Sequence, residues 1–329
     1  MSSRARVFAT RRLPGGALER LGAHARLEVW PGPGPPQPAE LRAAVREAEG
    51  LLCLLTDPVD AALLEVCPRL RVVSSCSVGV DHVDLEAASA RGIPVGFTPG
   101  VLVETTADLA FALLLAAARR VVEADRFVRE GSWTPQRRWD PELLLGHDLH
   151  GATLGVIGLG AIGRAVARRA RGFDMRVLGW SRSARQVEGV ERVELDALLA
   201  ASQLVTVHVA LAPQTRDLID ARALRRLPRG AVLVNTSRGG IVDELALAEA
   251  LRSGHLAGAG LDVFAREPLE SGSPLLDAPN LLLTPHIGSA SLATRTRMAE
   301  LAVDNLIAGL EGRPLRHCAN ADRLGRAGG

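Results

Sequence analysis

The stretch Thr153-Leu-Gly-Val-Ile-Gly158-Leu-Gly160-Ala161-Ile162-Gly163 constrains the fold more than any other part of this chain. An apolar, strand-like run ends at Ile157 and passes into G-x-G-x-x-G spacing, after which Arg164 to Arg171 has helical periodicity. Gly158 permits a tight turn, Gly160 lets the backbone approach a pyrophosphate, and Gly163 lets the helix pack closely on the strand. The anion would sit at the helix amino terminus, where unpaired N–H groups favour negative charge. Alone, such a glycine pattern is a weak signal. Placed between a strand and a helix, at the start of an alternating series, it predicts a dinucleotide-binding unit.

The second strand of that series ends in Ser181-Arg182-Ser183. An NAD-selective site needs a carboxylate there to accept from the ribose hydroxyl, and none is present. A guanidinium flanked by hydroxyls suits a 2′-phosphate instead, so the expected cofactor is NADP (NADPH), with NAD possible. The alternative is that Arg182 is a solvated loop residue.

Short apolar runs and helix-like stretches alternate along the whole chain. Strands are expected at 6–10, 27–30, 51–55, 71–75 and 93–97, then at 152–157, 175–180, 204–209, 231–236, 260–263 and 281–284. Between the early strands lie helical stretches at 14–21, 38–48, 60–67 and 85–91. A long helix is expected over about 104–130 and another over 294–310, with a frayed tail from Gly312. Such alternation implies parallel sheets with helices on both faces, in two domains that 329 residues can fill. The expected dinucleotide domain is 101–288, and 1–100 joins 289–329 in a discontinuous substrate domain.

Absences narrow the chemistry. The chain contains neither lysine nor tyrosine. It therefore has no Schiff-base amine, no lysine-bearing phosphate loop and no Tyr/Lys hydride-transfer pair. A net charge of +2 without a basic block gives no reason to expect nucleic acid. The longest apolar run, Leu109 to Ala118, is about half a membrane span. The first residues carry arginines but no apolar signal region, so cytoplasm is the expected location. Cys53, Cys67, Cys76 and Cys318 lack metal-ligand spacing, and His147 and His150 have no evident third ligand, so no metal is expected.

Three segments after expected strands carry polar side chains that a doubly wound sheet could bring to one crevice. They are Asn235-Thr236-Ser237-Arg238-Gly-Gly, Asp262-Val-Phe-Ala-Arg-Glu267-Pro, and Thr284-Pro-His286-Ile-Gly288-Ser289. With Ser77-Val78-Gly79-Val-Asp81-His82 and the glycine loop, they resemble the D-isomer-specific 2-hydroxyacid dehydrogenase family over nearly the whole chain. Within it the likeness is greatest to glyoxylate/hydroxypyruvate reductases, through Gly50 to Leu55, the Ser77 segment and Trp139-Asp-Pro141. The resemblance implies two Rossmann-like domains with an active-site cleft between them, a homodimer, and Arg238, Glu267 and His286 as the catalytic set. It further implies substrate contacts from Leu55, Ser77, Val78, Gly79 and Ser289, and cofactor contacts from Thr106, Ala210, Thr236, Asp262 and Gly288. The segment around Trp133 and Trp139 would extend over the partner subunit. Trp139 would there limit substrate size, or serve as a plain interface aromatic. Leu55 could equally be core.

The residue types suit that reaction. Reducing a ketone requires a hydride and a proton for the developing alkoxide. An imidazolium at His286 can supply the proton, a carboxylate at Glu267 can orient the ring, and Arg238 can clamp a substrate carboxylate through its fork of donors. The competing readings are another NAD-dependent member of the family (D-lactate, phosphoglycerate, formate or phosphonate type) and a non-catalytic dinucleotide sensor like the corepressors built on this fold. An L-specific lactate or malate dehydrogenase would carry its glycine loop near the amino terminus, which Gly158 is not.

Overall fold

In the computed structural model, which describes residues 4–183 and 186–324, the chain forms two units. One runs up to Leu102 and resumes at Ser289; the other spans Val103–Gly288.

The first unit is built on β1 (Arg6–Ala9), β2 (Arg26–Val29), β3 (Gly50–Cys53), β4 (Val72–Ser75) and β5 (Val95–Gly96), all parallel, in the order β2-β1-β3-β4-β5. Alternate residues of a strand face opposite sides, and both sides are apolar here. Val7, Ala9, Leu52 and Val72 pack with Leu21, Met298, Val303 and Leu306. On the other face Phe8, Leu51, Cys53 and Val73 meet Leu41, Leu63 and Leu64. The returning helix Leu292–Leu310 thus closes one face, and truncating a fully buried leucine such as Leu306 to alanine would cost about 2–5 kcal/mol.

The tail is not frayed at Gly312. Cys318 forms an antiparallel bridge with Gly96, and the buried Asn320 side chain accepts from Val95 N–H at 2.9 Å and donates to Ser89 Oγ and Ile93 O at 3.0 Å. These polar anchors have no hydrophobic periodicity to announce them.

The second unit carries β6 (Thr153–Ile157), β7 (Arg176–Trp180), β8 (Glu191–Arg192), β9 (Leu204–Val207), β10 (Ala231–Asn235), β11 (Leu256–Leu261) and β12 (Leu281–Leu283). Their order is β12-β11-β10-β9-β6-β7-β8, again parallel. The chain winds one way from β6 to β7 and β8, then returns to β9 on the other side. The carboxyl ends of β6 and β9 therefore flank the topological switch point, where ligands of such sheets bind.

The expected long helix is two helices, Val103–Ala118 and Val121–Arg129, broken at Arg120, whose φ is +51°. The first buries Ala107, Ala110, Leu113, Leu114 and Ala117; the second buries nothing in its own unit. β11 begins four residues before the expected strand because its glycines disguise it. A Cβ on Gly260 would lie 2.9 Å from Leu113 Cβ, so glycine is what lets the helix lie against the strand. Among the described residues no helix is long and apolar enough to cross a membrane.

Candidate active site

The glycine loop follows β6. Gly158 has φ +104°, and a Cβ there would stand 2.4 Å from His208 O at the end of β9. A Cβ on Gly163 would meet Gly158 O at 1.9 Å, whereas one on Gly160 would meet nothing within 4 Å. Two glycines are thus required by packing, and the third leaves open space beside the backbone. The helix Ala161–Ala170 starts at Gly160 with no side-chain cap, which keeps its first N–H groups available to an anion.

Next to this loop two buried polar atoms, His208 Nδ1 and Thr236 Oγ1, have no hydrogen-bond partner among the described residues. The pairing of Val207 with Asn235 sets them at adjacent strand ends. His208 Nε2 lies 2.8 Å from Thr206 Oγ1, and burial pushes the imidazole down to about 3, so the ring is neutral. Unpaired buried polar atoms are costly unless a ligand or water completes them. An open glycine cradle and two orphaned polar atoms at a switch point fit a dinucleotide.

Beyond β7, the Ser181 hydroxyl donates to Ser183 O at 2.9 Å, and Arg182 and Ser183 are exposed. Arg192, paired with Gly179 across the sheet, brings its guanidinium 3.5 Å from Ser181 O. Sequence reasoning missed Arg192 because β8 is only two residues long and has no period to detect. Ala210 is exposed, and its carbonyl accepts from Thr215 Oγ1 at 2.7 Å.

His286 follows β12 in the left-handed region, φ +53°, a conformation that costs a non-glycine residue about 1–3 kcal/mol unless its surroundings hold it. Asp262, fully buried after β11, holds it. One carboxylate oxygen accepts from Thr284 Oγ1 at 2.6 Å and from Ile287 N–H at 2.8 Å; the other accepts from Gly288 N–H at 2.8 Å. Burial raises the Asp262 carboxyl, and those three donors and the charge of His286 offset only part of the effect. Thr106, also buried, donates to Gly288 O at 3.1 Å from the other side. Asp262 and Thr106 thus brace the histidine loop, whatever else they touch.

His286 Nδ1 lies 2.7 Å from Glu267 Oε2, and Phe264 N–H donates to Glu267 Oε1 at 3.0 Å. Burial works to raise Glu267, but the hydrogen bond with His286, the Phe264 N–H and the charges of His286 and Arg238 outweigh it. The carboxyl settles below its ordinary range. Arg238 arrives by a tight route. A Cβ on Gly239 would fall 1.8 Å from Phe264 O, so only glycine lets the loop after β10 lie against the loop that carries Glu267. Asn235 pins this turn: its amide donates to Arg238 O at 2.8 Å, and its carbonyl oxygen accepts from Ser237 N–H and Oγ at 3.0 and 2.7 Å. One unit therefore holds a carboxylate–imidazole pair with a guanidinium in electrostatic reach, a set suited to proton transfer and to clamping an anion.

The remaining candidates lie elsewhere. Leu55, Ser77, Val78, Gly79 and Ser289 belong to the first unit, where Leu55 is exposed and Ser77 is buried. Ser77 spends its hydroxyl on Gly79 O at 2.6 Å. Trp139 is 93% exposed, and Val121, Val122, Val128, Trp133 and Leu145 form further exposed apolar surface near it in sequence.

Residues 111–288 match the family model described as D-isomer specific 2-hydroxyacid dehydrogenase, NAD binding domain. The chain is 50% identical over 307 residues to a glyoxylate reductase of Korarchaeum cryptofilum, covering 92% of each. A crystal structure of a Thermus thermophilus protein superposes with a TM-score of 0.90 at 51% identity, covering 95% of this chain and 99% of that one. An NADPH-dependent glyoxylate/hydroxypyruvate reductase from Sinorhizobium meliloti, crystallised with NADP and malonate, gives 0.85 at 34% identity, covering 96% and 97%.

Proposed function

The chain belongs to the D-isomer-specific 2-hydroxyacid dehydrogenase family, and from that premise we propose that it is an NADPH-dependent reductase of small 2-keto acids, converting glyoxylate to glycolate and hydroxypyruvate to D-glycerate. The observation that carries this reading is the 2.7 Å pairing of His286 with Glu267 in the unit that also holds Arg238 and the glycine loop. A carbonyl reductase needs a proton donor with a fixed ring beside an anion clamp.

The glycine loop, Thr236, Ala210, Asp262 and Gly288 are the proposed cofactor contacts, and the bound reduced nicotinamide supplies a hydride to C2 of the keto acid. Arg238 holds the substrate carboxylate and polarises its carbonyl. His286, charged and oriented through Nδ1 by Glu267, gives the Nε2 proton to the carbonyl oxygen, which leaves a 2-hydroxy acid and a neutral ring that regains its proton from solvent. Leu55, Ser77 to Gly79 and Ser289 complete the proposed substrate contacts. Exposed Arg182, with Arg192 near the same loop, favours the 2′-phosphate of NADP, and the relative crystallised with NADP lends support. The exposed apolar surface around Trp139 supports a homodimer.

The test is turnover. Purified protein should oxidise NADPH with glyoxylate or hydroxypyruvate faster than with pyruvate or 3-phosphohydroxypyruvate, and His286→Ala should abolish the activity. No turnover of any keto acid with either nucleotide would favour the sensor reading, and a preference for NADH with pyruvate would favour a lactate-type enzyme.

A further inference from the structure

The Ser77–Gly79 loop leaves the carboxyl end of β4 above a row of polar side chains that bond to one another. Ser75 Oγ lies 3.0 Å from His82 Nε2 and 2.7 Å from Ser77 Oγ, and Ser77 Oγ lies 2.6 Å from Gly79 O. Ser75 and Ser77 are buried, so water does not compete for these bonds. Above them Val78 and Gly79 are half-exposed, and among the described residues no acceptor pairs with either backbone N–H.

The protons in this row can point only one way. A carbonyl oxygen has no hydrogen to give, so Ser77 donates to Gly79 O. A hydroxyl has one proton, so Ser77, having spent it, accepts from Ser75. Ser75 has then spent its own proton and must accept from His82. We propose that His82 is a positioning residue for the substrate-binding loop, its Nε2–H starting a one-way chain through Ser75 and Ser77 that holds the Gly79 carbonyl inward.

With that carbonyl tied, the peptide planes around it are set, and the unpaired N–H groups of Val78 and Gly79 keep a fixed aim at an incoming carboxylate. Cys53 lies on the same side, its Sγ 4.0 Å from His82 Nε2. Burial raises this thiol, with Asp57 adding to the effect, so it stays protonated and does not form a thiolate–imidazolium pair with His82. The inference rests on the 2-keto acid reductase reading, because the loop is assigned to the substrate there.

The test has a spectroscopic arm and a kinetic one. In wild-type protein labelled with 15N-histidine, the His82 signal should show Nε2 protonated; an unprotonated Nε2 would overturn the chain of donors. His82→Ala and Ser75→Ala should each raise KM for glyoxylate about tenfold, the scale for losing one positioned hydrogen bond, with kcat and KM for NADPH within about twofold. His82→Gln, whose amide can donate, should recover most of the loss. Unchanged KM in both alanine variants, or equal losses in His82→Gln and His82→Ala, would overturn the positioning role. Should both alanine variants fail to fold, the protonation state in wild type and the His82→Gln kinetics decide. Wild-type protein that turns over no keto acid would sink the functional reading instead, and the labelled histidine would still report on the chain.

Discussion

Glu267 holds His286 by Nδ1 at 2.7 Å and is itself held by the N–H of Phe264, so neither oxygen of the carboxylate is free to swing the ring. The other ring nitrogen is thereby left as the only one that can meet a substrate. Because the pair follows two different strands, its geometry is secured by the sheet and not by the loops alone.

The pH dependence follows from this pair. Glu267 is depressed in the folded protein, so its contribution is complete above the ordinary carboxylate range and is lost only as pH falls through the lowered value. The acid limb of reduction should therefore lie below that ordinary range. An acid limb of kcat/KM that fell within or above that ordinary range would remove Glu267 from the role of orienting His286.

Arg238→Lys should lower kcat/KM on the order of a hundredfold, because a single ammonium cannot replace a planar fork aimed by the Asn235 brace. Steady-state kinetics with glyoxylate check this; a loss under about threefold would mean that charge alone suffices.

Arg182→Ala should weaken NADPH binding about tenfold or more and leave NADH nearly unchanged, as expected for one charge-assisted contact to a phosphate. Equal losses for the two nucleotides, measured by fluorescence titration, would remove the 2′-phosphate assignment.

Asp262→Ala would leave the N–H groups of Ile287 and Gly288 and the hydroxyl of Thr284 without their acceptor in a buried place. Stability should fall by about 1–3 kcal/mol, and kcat should fall with it as the His286 loop relaxes. Thermal unfolding and turnover measured on the same preparation check both; a fall in kcat without a fall in stability would point to direct contact with the cofactor.

Trp139→Ala should shift the protein toward monomer in sedimentation and broaden the range of keto acids accepted. A shift in assembly alone would restrict this indole to an interface, and no shift would remove it from one.

Much of this protein could be read from local pattern. Short continuous apolar runs mark most strands, and the G-x-G-x-x-G spacing marks the nucleotide unit, because a tight turn and close helix packing demand glycine at those positions whatever surrounds them. The residues after β10, β11 and β12 stood out for a similar reason: strand ends in a parallel sheet point to one edge. Tertiary structure decided the rest. β11 hides behind Gly258 and Gly260, whose role becomes visible only against Asn280 and Leu113. The break at Arg120 is a left-handed backbone turn within a continuous apolar pattern, and the Asn320 anchor is a set of side-chain bonds to residues more than two hundred positions away. The bracing of His286 by Asp262 is of the same kind. Local periodicity records which face of an element is buried; it carries no information about which distant polar atom will complete a hydrogen bond, and that is settled only when the sheet brings the two together.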